Sequence, residues 1–345
     1  MGAAELIYGA QIECGRNLQV NDRAVGLLEQ YDIEVHRTRK GRGAILCDTS
    51  RGCLIFKEYM GNEQKIALQD SVLRQIGDNG GVKVDQIVPN KEGSLLVKEN
   101  DGISYVLKTW FEGRECNIYD RGECVEAVRL LAALHNSMEK IVCEEGLPVS
   151  SPEREYEKHN RELKRVRKFL SKKGQKTWFE ICLLDAFDDF LMQALEITEQ
   201  WQAYSHLAQG QPECGCLCHG DYQYHNIIKS EGEWYIINFE KCIRDNPIRD
   251  LYLLLRKLLE KSNWSVSLGK ELLTAYEEVR PISAYSRIDL YYRLAYPEKF
   301  WKIANFYYNS GKAWIPERNL EKLNKLLEQE AAKQEFLDSV FREVK

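Results

Sequence analysis

Three polar side chains at fixed spacing carry the chemistry this sequence offers. Asp221 follows His219 and Gly220, Asn226 stands five positions on, and Asn238 closes the short apolar run Trp234-Tyr235-Ile236-Ile237. Phosphoryl transfer from a nucleoside triphosphate needs such parts: a carboxylate to orient the acceptor hydroxyl, then two oxygen ligands for magnesium. Asp221 suits the first role and Asn226 one metal ligand. At the second ligand position a carboxylate is expected, because Mg2+ favours hard, charged oxygen. The sequence supplies the neutral amide of Asn238 instead. Glu240, two residues on, faces the same side if the strand continues, and so offers metal a carboxylate directly or through water. An aspartate after glycine also serves as a plain turn residue, but the joint spacing of Asp221, Asn226 and an apolar hairpin argues for chemistry.

These residues need elements to hold them. From Ile33 the texture is strand-like: Ile33–Thr38, Ala44–Cys47 and Cys53–Lys57 are short runs parted by breaker-rich turns. The turn Arg39-Lys40-Gly41-Arg42-Gly43 joins glycine to cations, which suits backbone amides approaching phosphate oxygens, with Gly41 and Gly43 the close-approach positions. An exposed hairpin has the same composition. Lys57 ends an apolar strand, where an inward lysine is costly unless it meets an anion, or else snorkels to water. Gly61–Ile76 is predicted helical, with Ile66, Leu68, Val72, Leu73 and Ile76 on its buried side. Short strands at 86–88, 95–97 and 104–108 complete an antiparallel sheet of about five strands with one helix. From Arg121 the pattern is helical: 121–138, a strongly basic helix from Pro152 to about Lys173, one long helix over Trp178–Leu207, aromatic-rich helices around 290–308, and a charged helix from Glu317 to Val344. Leu18–Leu28 reads as a short helix docking along the first lobe.

The run His219–Asn226, then Ile237-Asn238-Phe239-Glu240-Lys241, Arg249-Asp250-Leu251-Tyr252 and Leu255-Arg256-Lys257, resembles the spore-coat kinase-like (CotS-type) proteins of spore-forming bacteria. These sit within the aminoglycoside phosphotransferase and choline kinase branch of the protein-kinase-like fold. The likeness is densest over Leu217–Trp264 and weaker over Leu54–Asn117. It implies an α+β, two-lobed fold: a nucleotide-binding N-terminal lobe over 1–108, a connector over 109–113, and a mostly helical lobe over 114–345. The larger lobe would carry the catalytic loop at 218–226 and the metal-site hairpin at 233–240. The resemblance gives Lys57 to the nucleotide phosphates and makes the first helix the source of its carboxylate partner. Glu63 and Asp70 are the candidates there, and Asp70 is preferred. It places Trp110 and Phe111 in the adenine-facing connector, although both also suit interlobe core. His219 and Asp250 are structural supports, Asp250 also suiting the cap of its own helix. ATP and Mg2+ are the implied cofactors, with a small-molecule acceptor or spore-coat proteins as partners. Only twelve positions (250 − 238) separate Asn238 from Asp250, too few for a long phosphorylated activation segment.

Composition narrows the rest. The chain has 345 residues and a net charge of −5, so nucleic acid is not the expected partner. No apolar run reaches the ~18 residues of a membrane span, and no basic start followed by an apolar core marks a secretory signal. Eleven cysteines, odd in number and mostly inside apolar runs, read as free thiols of a reducing compartment. Cys214, Cys216 and Cys218 fit a strand better than a metal site, which would need a fourth ligand. The expected location is the cytoplasm or the spore coat. Two functions compete: a small-molecule phosphotransferase, and a coat protein that keeps the fold with impaired catalysis because Asn238 stands where an acid is expected.

Overall fold

A computed structural model describes residues 22–41, 43–141, 147–150, 152–205, 215–310 and 317–344. Two compact units emerge, one of residues 1–148 with 217–243 and one of 149–216 with 244–345.

In the first unit a 3₁₀ helix at Asp22–Gln30 leads into β1 (Val35–Gly41), β2 (Ala44–Thr49), β3 (Gly52–Glu58), α1 (Glu63–Asn79), β4 (Lys83–Val84), β5 (Val97–Lys98), β6 (Ser104–Thr109), β7 (Arg114–Glu115) and α2 (Arg121–Met138). After the second unit's first segment come β8 (Cys216–Cys218), β9 (Ile227–Ser230) and β10 (Glu233–Ile236). The main sheet has the order β1-β2-β3-β6-β5, and its neighbours run antiparallel. Its core side buries Leu28, Tyr31, Ile45, Cys47, Leu54, Phe56 and Leu107, with Phe56 stacked on Tyr105 at 5.1 Å. The mixed α+β architecture with an antiparallel amino-terminal sheet is the one expected. Of the anticipated helix at 18–28, the portion before residue 22 lies outside the described residues, as do Arg42 and Cys214.

A second sheet, β4-β10-β9-β7, draws the chemistry-bearing segment into this unit. β10 runs parallel to β4 and antiparallel to β9, and β9 pairs with β7. Packing therefore groups residues differently from a cut at 109–113. The stretch 217–243, read as part of the larger lobe, associates with the first unit through these strand pairs. The strand anticipated at 86–88 reduces to one bridge between Ile87 and Lys108.

The second unit is helical: α3 (Pro152–Lys172), α4 (Trp178–Asp185), α5 (Phe187–Ser205), α6 (Ile248–Lys261), α7 (Val266–Glu277), α8 (Ala284–Ala295), α9 (Glu298–Asn309) and α10 (Glu317–Val340), with a short strand β11 at Ile243–Asp245. The helix expected over 178–207 divides at Ala186. Thr177 caps the first piece through a reciprocal pair with Glu180. Glu180 is buried, and its carboxylate also takes Lys173 and the Tyr307 hydroxyl. Much of the aromatic content of α8 and α9 is core, with Phe300 stacked on Phe190 at 4.5 Å, whereas Phe306 is exposed. The eight described cysteines are free thiols. No described helix is long and apolar enough to cross a membrane.

Candidate active site

The loop after β8 is set by one glycine. Gly220 has φ +80°, and a Cβ there would stand 1.9 Å from the carbonyl oxygen of Lys241. Only glycine permits both the conformation and the approach. His219 locks the same turn from the other side. Its Nδ1 accepts the backbone N–H of Asp221 at 3.1 Å, so the ring proton sits on Nε2 and is donated to the carbonyl of Ile237 at 3.0 Å. The histidine is buried, and both ring nitrogens bond backbone groups of the loop and of Ile237. Tyr222 is likewise packing: it is fully buried and donates to the carbonyl of Ala127.

Asp221 presents a carboxylate with one side tied and one side loosely held. Oδ1 accepts from Gln223 at 2.7 Å and Oδ2 from Lys241 at 2.9 Å. Lys241 is largely exposed, so its hold costs little to break.

Beyond β10 the chain does not continue as a strand. Asn238 takes the left-handed conformation (φ 69°, ψ 58°), which asparagine tolerates better than most residues, and the chain enters a short 3₁₀ turn, Phe239–Lys241. This turn aims Asn238 into a directional chain of hydrogen bonds. Lys57 Nζ donates to Asn238 Oδ1 at 2.8 Å. Asn238 Nδ2 donates to Asn226 Oδ1 at 2.8 Å. Asn226 Nδ2 donates to the carbonyl of Asp221 at 2.8 Å. Each amide's orientation is thus dictated by its neighbour. The structure joins Lys57, Asn238, Asn226 and Asp221 in one chain of hydrogen bonds.

Two expected partners are elsewhere. Asp70 does not reach Lys57; it takes Arg74, one helical turn on, at 2.7 Å. The inward face of α1 presents Ile66, Gln69, Val72, Leu73 and Ile76, so the polar group it buries is the amide of Gln69. Glu63 pairs with Lys98. The carboxylate that meets Lys57 is Glu240, at 2.8 Å, and the same oxygen lies 3.2 Å from Lys108. Lys108, on β6, is fully buried and contacts Asp85 at 2.5 Å. Two lysines and two carboxylates therefore form a neutral lattice beneath Asn238, whose backbone N–H also points at Asp85 (3.4 Å). Burial would lower the Lys108 pKa, but Asp85 and Glu240 more than offset this and hold it above the usual lysine range. Burial likewise pushes Glu240 up, and Lys108 and Lys57 pull it well below the ordinary carboxylate range. Lys108 and Asp85 carried no motif in the sequence; a lysine inside the apolar run Tyr105-Val106-Leu107 was the available signal.

A magnesium ion does not fit this donor set as arranged. The two amide oxygens that would ligate it are both engaged, one by Lys57 and one by the other amide. Glu240 is held by two ammonium groups. The buried, unpartnered oxygen nearby, Asp85 Oδ1, belongs to a carboxylate that Lys108 already neutralises.

The remaining expected residues are placed as follows. Gly41 opposes Ala44, and Ala44 opposes Lys57, so the glycine turn lies in the same row of the sheet as the lysine; Gly43 has φ +72°. Arg39 in that turn pairs with Asp48 and Glu112. Trp110 is half-buried and its N–H bonds Cys53, while Phe111 stacks on Tyr235 at 3.9 Å. Asp250 is buried in the first turn of α6, in the second unit, where Pro247 rather than Asp250 is the capping residue.

Comparison with known proteins identifies the family and the fold. Residues 25–340 match the model of a family described as "Spore coat putative kinase YutH". A curated relative, spore coat protein S of Bacillus subtilis strain 168, is 23% identical over 320 residues, covering 89% of each chain. Among solved structures, an aminoglycoside phosphotransferase of Alicyclobacillus acidocaldarius aligns with a TM-score of 0.80 at 20% identity, over 92% of this chain and 95% of that one. A spectinomycin phosphotransferase solved with ADP and spectinomycin aligns at 0.63 and 16% identity, over 89% and 93%. At these identities the structural likeness establishes the protein-kinase-like fold.

Proposed function

The chain belongs to the spore coat kinase family just described, and from that membership we propose that it is a spore-coat-associated, kinase-like protein whose phosphoryl-transfer centre is impaired. The observation that carries the reading is the bond between Asn238 and Asn226. Where two oxygens must converge on a cation, the chain has an amide donor facing an amide acceptor at 2.8 Å. A neutral amide also supplies no charge where negative charge accumulates during transfer. Asn238 thus stands in for the metal-binding acid, and Glu240 serves as the counter-ion of Lys57.

The nucleotide half of the site is better kept. Lys57, the turn of Gly41 and Gly43, and Trp110 are the groups assigned to a nucleotide. A spectinomycin phosphotransferase of the same fold was solved with ADP, which supports nucleotide as the ligand class. Binding is weak in this reading, because Lys57 must first leave Glu240. Coat proteins are the proposed partners and the spore coat the proposed location.

A second reading, an active small-molecule phosphotransferase, is favoured by one observation: one oxygen of the Asp221 carboxylate is held by an exposed lysine alone. One experiment separates the two. Purified protein is incubated with ATP and Mg2+, with and without a panel of amino alcohols and amino sugars, and ADP is quantified. The proposal expects no ADP above a protein-free control. Magnesium-dependent ADP production that Asp221→Asn abolishes would overturn it.

A further inference from the structure

The second unit contains an ionic cluster that its own folding leaves unbalanced. Glu260 of α6 accepts Arg256 at 2.7 Å and Lys299 of α9 at 3.2 Å. Glu298 accepts Lys302 at 3.3 Å, with the ring of His159 at 3.4 Å. Lys257 lies among these groups and, among the described residues, forms no hydrogen bond or ion pair. Four basic side chains, Arg256, Lys257, Lys299 and Lys302, thus meet two carboxylates, a surplus of two when all are charged (4 − 2), in a chain whose net charge is −5. Behind them Lys333 is buried against the carbonyl of Ala295 and the ring of Trp264, offset by Glu330 of its own helix and by Glu260, which the cluster already shares.

Such a surplus is costly where water is partly excluded. Lys257 is half-buried, and burial first, then Arg256, Lys299 and Lys302, push its pKa down to about 8. Lys302 is lowered by burial and by Arg256, with Glu298 and Glu260 pulling the other way. Two uncompensated positive charges, on amines that project from two different helices, match a dianion; a monovalent ion would leave one unbalanced.

We propose that Lys257, with Lys299 and Lys302, forms a binding site for a phosphate-class dianion, either free or esterified to a small molecule. The anion supplies the counter-charge that Glu260 and Glu298 do not. This site lies wholly in the second unit and does not depend on the fate of the Asn226–Asn238 centre.

Calorimetric titration of the full chain tests the site, with inorganic phosphate and glycerol 3-phosphate as probes, against potassium chloride at matched ionic strength. Saturable binding of one equivalent of either probe is expected, weakened at least tenfold by Lys257→Gln. Lys164→Gln, which removes one charge from the exposed face of α3, should leave it unchanged. Tighter binding of the ester assigns the site to a phosphorylated small molecule, and tighter binding of the free ion assigns it to phosphate itself. Should Lys257→Gln fold poorly, acylation of the wild-type protein at pH 8 provides the second readout. Lys257 should be modified ahead of exposed lysines and protected by the probe. Binding no better than in chloride, equal loss in both variants, or a Lys257 that the probe does not protect would overturn the proposal.

Discussion

Asn238 donates a hydrogen bond to Asn226 at 2.8 Å, so the two side chains proposed as metal ligands bond to each other. The orientation is not free to invert. Lys57 requires an acceptor on one end of Asn238, and the carbonyl of Asp221 requires a donor on one end of Asn226.

Replacing Asn238 by Asp puts a carboxylate oxygen against Asn226 Oδ1 and adds a third acid to a lattice of two lysines and two acids. The variant is expected to need a cation. Its melting temperature should rise by about 2–4 °C on adding millimolar Mg2+, the shift that ~1 kcal/mol produces in a chain of this size, while the wild type should not respond. Thermal unfolding with Mg2+ and with EDTA checks this; equal responses would count against the assigned geometry.

Lys108→Met removes the cation between Asp85 and Glu240 at a buried position. Stranding buried acids in this way costs about 3–5 kcal/mol. Pairing it with Asp85→Leu should recover part of the loss, since the two sites share one interaction. Denaturant midpoints of the single and double variants are the measurement, and strictly additive losses would show that the pair is not coupled.

Gly220→Ala should disorder the loop bearing Asp221. The new methyl group meets the carbonyl of Lys241 in a backbone conformation that alanine disfavours, a strain of roughly 1–3 kcal/mol. A melting temperature within 1 °C of wild type, roughly the error of such scans against the several degrees that strain implies, would refute the close approach.

Glu123 tests the acid limb of stability. Its hydrogen bond from Arg114, assisted by the amide of Asn117 against the opposing effect of burial, brings its pKa down to about 2 from 4.5. The unfolded chain takes up the proton first, so this contribution is intact above pH 4.5 and is lost as pH falls toward 2. Glu123→Gln should be less stable than wild type at pH 6, and the gap should narrow by pH 3. Urea midpoints at the two pH values decide; a constant gap would mean that the carboxylate charge is not what stabilises.

Local signals made much of this molecule legible. His219-Gly220-Asp221 and Asn226 lie within one short loop, so their spacing along the chain is nearly their spacing in space. Breaker-rich turns marked the hairpins, the 3.6-residue period marked α1 and α2, and charge-rich composition marked α3 and α10. The same signals misjudged Asp70, because a helix's apolar stripe fixes its buried face only to within about one residue, and here Gln69 took the inward position. They also missed the break at Ala186, because the apolar series Phe179, Leu183, Phe187, at four-residue spacing, runs straight through it.

The sequence by itself determined which residues were available: an acid after His-Gly, two asparagines where metal ligands are expected, and a lysine closing an apolar strand. What those residues bond to was decided only in three dimensions. Lys57 and Glu240 are 183 positions apart (240 − 57), and Lys108 comes from β6 while Asp85 stands just past the end of β4. Strand pairing of β4 with β10 and the left-handed turn at Asn238 set these meetings. Long-range ion pairs have no periodicity along a chain. They form where burial leaves a charge no alternative to the nearest opposite one.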